Sequence, residues 1–270
     1  MRRTEGKGEV ATCSLLDCDN IRMQPLDMLQ EGGVLLGRVE ALRSCYLFTD
    51  ADAQSVELLG EASHVVRLPA GSALFSAGDE SNGLYIMRSG LVRIWVADTE
   101  GRELTLALME PGDPFGEIAL LDRLPRSASA TAIEDTICLL TPVSAMEAAL
   151  EQNPRLARHL IEQLCEILRR NTRELSGYAF LSLDARLAQK LYELALAYAE
   201  TDGKTAHFTR RFSQTELAQM LGATREAVNK RLAALVHDGL VRQKDGYVTL
   251  TDLAALKARV RMSTGLAARR

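Results

Sequence analysis

Two groups of side chains in this 270-residue chain have the types and the spacing to do chemistry. The first is the run Phe115-Gly116-Glu117-Ile118-Ala119-Leu120-Leu121-Asp122-Arg123-Leu124-Pro125-Arg126-Ser127-Ala128. The Arg126 guanidinium offers a planar fork of donors to phosphate oxygens, and the Ser127 hydroxyl adds another donor. Gly116 permits close backbone approach, and the backbone N–H groups around Ile118 and Ala119 can face an anion. Glu117 can accept a hydrogen bond from a sugar hydroxyl. These residues describe a pocket for an anion joined to a sugar. On the residues alone, a surface arginine near a turn glutamate is an equally simple reading.

The second group lies between Phe212 and Leu235. Ser213 followed three residues later by Glu216 is a capping box, so a short helix starts there. Leu217, Ala218 and Leu221 give it an apolar face, and Gly222 breaks it. Thr224 caps a second helix whose buried stripe is Val228, Leu232 and Leu235. Two short helices joined by a glycine turn place the second in the major groove of DNA. Its polar face carries Arg225, Glu226, Asn229 and Lys230. Arg and Lys suit guanine O6 and N7, and Glu accepts from cytosine N4. Ser213, Gln214 and Thr215, at the start of the first helix, are placed to hold a phosphate. A hairpin over 239–250, turning near Lys244-Asp245-Gly246, adds a wing.

Both groups need a frame. Short apolar runs recur between His64 and Pro142: 65–68, 84–87, 91–96, 104–108 and 137–140. Gly and Pro turn signals separate them, which predicts an antiparallel barrel or roll. Residues 36–62 read as helical, and so do residues 184–202. After Pro154 a long helix runs to about Gly177. Along it Ala157, Ile161, Leu164, Leu168, Asn171, Leu175 and Tyr178 follow at alternating steps of 4 and 3. That alternation predicts a coiled-coil dimer seam, parallel or antiparallel. The competing reading is a helix packed on its own domain. Asn171 is the polar member of the seam, suited to fixing register or facing a ligand.

Bulk properties narrow the function classes. The hydrophobic fraction of 47% and charged fraction of 25% are those of a globular protein with room for two domains. No apolar run approaches a membrane span, and the basic N-terminus has no apolar core behind it, so a secretory signal is not expected. Five scattered cysteines suit a reducing compartment, and a cytoplasmic location is expected. The net charge of −4 hides an asymmetry: from Gly203 to Arg270 there are 13 Lys+Arg against 5 Asp+Glu. A basic end on an acidic protein is the footprint of a nucleic-acid module.

From about residue 40 to 255 the chain resembles the cyclic-AMP receptor/fumarate–nitrate regulator (CRP/FNR) family. Phe115–Ala128 is similar to the phosphate-binding cassette of cyclic-nucleotide sensors, with Gly-Glu, Ala-Leu and Pro-Arg-Ser-Ala in order. The resemblance implies an α+β chain. Its parts are an N-terminal double-stranded β-helix (a cyclic-nucleotide-binding jelly roll), a long dimerisation helix and a C-terminal winged helix-turn-helix. The corresponding segments are an N-terminal extension (1–35), a sensor domain (36–153), the dimerisation helix (154–180) and the DNA-binding domain (181–270). It implies that Glu117 takes the ribose 2′-hydroxyl. Arg126 and Ser127 hold the cyclic phosphate, and Gly116, Ile118 and Ala119 approach through backbone groups. The family's Thr-Ser pair against the base, one residue of it from the partner subunit, stands here as Asn171-Thr172. In the recognition helix Lys230 replaces the family's arginine.

The expectations that follow are a non-enzymatic, ligand-gated transcription regulator with cyclic AMP or cyclic GMP as allosteric ligand and no prosthetic group. Its partners would be double-stranded DNA with a palindromic operator of TGxGA-like half-sites, a second copy of the chain as a homodimer, and RNA polymerase. No membrane partner is expected. Some relatives sense through an iron–sulfur cluster or haem. A cluster needs about four thiolates at tight spacing. Cys13 and Cys18 invite that reading, whereas Cys45 and Cys138 fit a core, and the four histidines show no ligand pairing. A regulator with a vestigial cassette, or an enzyme using Glu117 and Arg126 on cyclic nucleotides, are the remaining alternatives. No metal cluster, activated nucleophile or carboxylate pair supports the enzyme.

Overall fold

A computed structural model describes residues 31–263. Most of the extension expected over 1–35, with Cys13 and Cys18, lies outside the described residues. Helix α1 (Glu31–Ser44) already begins within the span assigned to the extension. The helical reading over 36–62 divides into α1, a 3-10 turn at Tyr46–Phe48 and α2 (Ala53–Ala62). The break has a local cause: Asp52 caps α2, accepting from the Ser55 backbone N–H at 2.8 Å, while Leu47 and Phe48 are buried between the helices.

The roll is built from β1 (His64–Leu68), β2 (Ala73–Phe75), β3 (Gly83–Ser89), β4 (Val92–Ala97), β5 (Glu103–Met109), β6 (Pro114–Phe115), β7 (Ser129–Ala132) and β8 (Thr136–Pro142). They form two antiparallel four-stranded sheets, in the orders β1-β8-β3-β6 and β2-β7-β4-β5. Strand β3 shows why the layers hold. Its side chains alternate, as the period of two demands. Tyr85 and Met87 face the roll interior with Val92, Phe115, Ala130 and Cys138. Leu84 and Ile86 face outward onto a helical layer containing Leu42, Phe48, Met146, Leu156 and Leu160. A short helix, α3 (Glu117–Asp122), follows β6.

After α4 (Val143–Gln152), Asn153 caps α5 (Pro154–Phe180) by accepting from the Arg155 and Leu156 N–H groups, with Pro154 at the first position. Helix α5 has two faces. Leu156, Leu160 and Gln163 are buried on the roll. The seam residues lie elsewhere on its surface: Ile161 is 60% exposed, Leu168 64% and Leu175 68%.

The C-terminal domain comprises α6 (Leu183–Tyr198), β9 (Ala199–Thr201), β10 (Ala206–Phe208), α7 (Gln214–Leu221), α8 (Arg225–His237), β11 (Val241–Lys244), β12 (Tyr247–Leu250) and α9 (Leu253–Ser263). The helix expected over 184–202 therefore ends at Tyr198, where the chain enters a β9–β10 hairpin. Strands β11, β12, β10 and β9 form one sheet in that order. The wing turn is Asp245-Gly246, both at positive φ (53° and 81°), as a tight two-residue hairpin requires. Leu191, Phe208, Leu217, Val228, Leu232 and Leu250 share the domain core.

Candidate ligand cavity and nucleic-acid interface

A cavity of about 580 Å³ opens between the roll and α5. Its wall includes Gly116, Glu117, Ile118, Ala119, Arg126 and Ser127 from the cassette and Asn171 from α5. Gly116 has φ 83°, a conformation natural to glycine, and a Cβ there would stand 2.6 Å from Arg126 Nη1. Glycine thus lets the chain turn from β6 into α3 and lets the guanidinium pass beneath.

Arg126 is 3% exposed. Its Nη1 donates to Gly116 O at 2.7 Å, and Nη2 donates to Asn82 Oδ1 at 2.7 Å and to Gly83 O at 2.9 Å. The guanidinium lies over the Phe75 ring at 4.4 Å and near Tyr85 at 5.6 Å. Nε is buried with no partner. The free fork expected from the sequence is therefore largely committed to the protein. The group is pre-organised by three acceptors, with Nε–H among the donors left for a ligand. Burial lowers its pKa, opposed by Tyr85, Glu117 and Asp79.

Glu117 is 5% exposed. Burial pushes its carboxyl above the usual range, while backbone N–H groups and the charges of Arg170 and Arg126 pull it back. Asp113, in the turn before β6, is likewise raised by burial and opposed by Arg170. Ser127 and Ile118 are exposed on the cavity wall and Ala119 is buried.

Thr172 does not line the cavity of its own chain. It is exposed, and its hydroxyl donates back to Leu168 O at 2.9 Å. Asn171 belongs both to the seam and to the cavity wall. Sequence reasoning missed Asn82, Asp113, Gln163 and Arg170. Gln163 is buried, with Nε2 donating to Pro114 O at 3.2 Å. The step from Gln163 to Ile167 to Arg170 repeats 4 then 3, parallel to the seam, and was the available signal for a second working face on α5.

The residues expected to meet nucleic acid occupy the other domain. Ser213 accepts from Glu216 N at 3.1 Å and Glu216 accepts from Ser213 N at 2.7 Å, completing the capping box. Ser213 and Thr215 are exposed at the start of α7, and Gln214 is half-buried. Gly222 ends α7 in the left-handed conformation, φ 55°. Thr224 caps α8, accepting from Ala227 N at 3.2 Å. Arg225, Glu226 and Lys230 are exposed. Asn229 departs from the expected open polar face: it is half-buried beside Val228, and its Oδ1 is buried without a partner.

Cys45 and Cys138 are fully buried in different clusters, and burial raises both thiols to about 12. Among the described residues no group of three His, Cys, Asp or Glu side chains is placed to hold a metal ion. No helix among them is long and apolar enough to cross a membrane.

Residues 65–153 match the cyclic nucleotide-binding domain, and residues 185–259 match the Crp-like helix-turn-helix domain. The chain is 32% identical over 222 residues to the CRP-like cAMP-activated global transcriptional regulator of Mycobacterium tuberculosis, covering 82% of this chain and 99% of that protein. It is 36% identical over 189 residues to the cyclic AMP receptor protein of Thermus thermophilus, covering 70% and 84%. Among solved structures, a transcriptional regulator from Thermus thermophilus superposes with a TM-score of 0.60 at 30% identity, covering 74% of this chain and 100% of that one.

Proposed function

The chain belongs to the CRP/FNR family of transcription regulators, and from that premise we propose that it is a homodimer whose binding to a palindromic operator is gated by cyclic AMP or cyclic GMP. The observation that carries the reading is the buried, pre-organised Arg126 beside Gly116 and Glu117, in a cavity whose far wall is α5.

The cavity volume suits a nucleotide-sized ligand. Its lining carries Arg126, Arg169, Arg170 and Arg173 against Asp113, Glu117 and Glu166. One cation in excess matches the single negative charge of a cyclic phosphate. Glu117 serves the ribose hydroxyl, Arg126 and Ser127 the phosphate, and Asn171 the base. Thr172, which points away from its own cavity, is placed to complete the partner's site across the seam.

A ligand shifts a conformational equilibrium only through a difference in affinity between the states. Contacts from Asn171 and from the partner's helix supply that difference, because they depend on how the two copies of α5 meet. The recognition helices of the dimer would then present themselves about 34 Å apart, one turn of DNA. A complex with RNA polymerase belongs to the same reading.

Calorimetric titration with cyclic AMP and cyclic GMP, followed by operator binding with and without the ligand that binds, tests the proposal. Saturable binding that raises operator affinity supports it. Operator affinity unmoved by either nucleotide would leave a regulator with a vestigial cassette.

A further inference from the structure

Helix α5 lays Leu156, Leu160 and Gln163 on the roll. The third member of that row is an amide, 7% exposed. Its Nε2 donates to Pro114 O at 3.2 Å. A carbonyl oxygen only accepts, so the amino end of the amide must face Pro114. Oε1 is then left buried with no partner, on a residue that lines the ligand cavity. A half-satisfied amide is costlier in an apolar row than a leucine or a methionine, so packing does not account for it.

Pro114 stands at the start of β6, which pairs with β3 through two residues, Pro114 with Ile86 and Phe115 with Tyr85. The proline has no N–H to give to that pairing. Main-chain oxygens along this segment are bonded in turn to three parts of the molecule. Asp113 O accepts from Met87 N in β3 at 3.0 Å, Pro114 O from Gln163 in α5, and Gly116 O from Arg126 at 2.7 Å. We propose that Gln163 is a positioning residue that transmits occupancy of the cavity to α5: its amide bridges the strand entering the cassette to the helix that carries the dimer seam. This rests on the cyclic-nucleotide reading of the cavity. A ligand that engages Arg126 displaces the Gly116 turn, and Pro114 O moves with it. Gln163 passes the displacement to α5 between the seam residues Ile161 and Leu164, about two turns before Asn171. The bare Oε1 lets the bridge move. It holds the present arrangement at the cost of an unmet acceptor, which a small shift of α5 toward the cavity removes.

The test compares wild type, Gln163→Met and Gln163→Asn as full chains. Affinity for a duplex with TGxGA-like half-sites is measured without and with saturating cyclic AMP or cyclic GMP, alongside calorimetric nucleotide binding and thermal melting. Methionine fills the same space without either polar end. Asparagine keeps the buried amide but is one methylene too short to bridge, and it carries the test if methionine disturbs folding. The gain in duplex affinity on adding nucleotide should fall roughly three- to tenfold in both variants, the worth of one neutral hydrogen bond, while both melt cooperatively and still saturate with nucleotide. By linkage, the gain in nucleotide affinity on adding duplex should fall by the same factor. A methionine variant that keeps the wild-type gain, whatever its melting temperature, makes Gln163 a packing residue and overturns the inference while the cyclic-nucleotide reading stands. So does a loss with methionine that asparagine does not share, because buried polarity and not the bridge then matters. A variant that no longer saturates puts Gln163 in binding rather than transmission, and overturns it too. A wild-type chain whose duplex affinity neither nucleotide moves overturns the underlying reading, and this inference with it.

Discussion

Glu103 in β5 accepts a hydrogen bond from Gln219 in α7 at 2.9 Å, through the same carboxylate oxygen that receives Arg93 Nη2 at 2.5 Å. The contact joins the ligand domain to the first helix of the helix-turn-helix. It is reinforced nearby: Leu104 lies 3.3 Å from where a Gly222 Cβ would stand, and Arg210 meets Glu134 at 3.5 Å. Strand β5 also lines the cavity through Leu106, Ala107, Leu108 and Met109. One strand thus touches both the ligand space and the DNA module.

Gln219→Ala removes the donor and leaves Glu103 with Arg93. A hydrogen bond to a charged group contributes about 1.5–3 kcal/mol, enough to loosen a local docking contact without unfolding either domain. Hydrogen exchange should show faster exchange in α7 and at the start of β5, with the cassette strands β6 and β7 unchanged. Unaltered protection in α7 would mean that the apolar contact at Leu104 suffices alone.

Leu168→Asp and Leu175→Asp should convert the protein to a monomer. Both side chains are largely exposed in the single chain, so a charge there costs little intramolecularly. In a paired seam each buried leucine is worth about 1.5–3 kcal/mol relative to exposure, and a carboxylate in its place adds a desolvation cost. Sedimentation should report the monomer while the roll's melting transition stays in place. Leu160→Asp, on the buried face of α5, should instead abolish folding.

The same helix marks how far the sequence was legible. The seam could be counted because its apolar residues repeat in one stretch of chain. The roll-facing row was harder to see, since Gln163 and Arg170 gain their meaning from a cavity closed by distant residues, Pro114 standing 49 positions before Gln163. Strands β1, β3, β4, β5 and β8 announce themselves as apolar runs. Strand β7, Ser-Ala-Thr-Ala, is made of small residues with no apolar run although it lies inside a sheet between β2 and β4, and β6 is only two residues long, so neither carries a pattern. The helical reading over 184–202 runs on through β9 because Ala199 continues the alanines of the preceding helix. In the cassette, residue types were readable and their commitments were not. Asn82 holds Arg126 from 44 positions away, and no local spacing encodes that.

Arg126→Ala should lose ligand binding and also stability. It strips a donor from Gly116 O, Gly83 O and Asn82 Oδ1; Asn82 is exposed and keeps the Tyr85 hydroxyl, so the cost falls on the two carbonyls, roughly 1–3 kcal/mol for a buried acceptor left unsatisfied. Ser127→Ala is the cleaner probe of phosphate capture, because Ser127 is exposed on the cavity wall. Its melting temperature should match wild type while cyclic-nucleotide affinity falls. Normal cyclic-nucleotide affinity in Arg126→Ala, in preparations shown to be folded, would remove the cassette from the site.

Lys230 is exposed one turn into α8, on the surface that also carries Arg225 and Glu226. Asn229, half-buried with an unpartnered Oδ1, is less available to a base edge, so discrimination should fall mainly to the other three. A lysine is a point charge that reads guanine less selectively than the bidentate arginine fork. Lys230→Arg should therefore sharpen guanine preference at one position of each half-site, and Lys230→Ala should flatten it. If Lys230 touched phosphate instead, removing it would weaken all sequences alike and reduce the slope of log affinity against log salt by about 0.9. Binding to an operator library at two salt concentrations separates the outcomes: a changed base profile at constant slope places Lys230 on a base edge, and a changed slope at constant profile places it on the backbone.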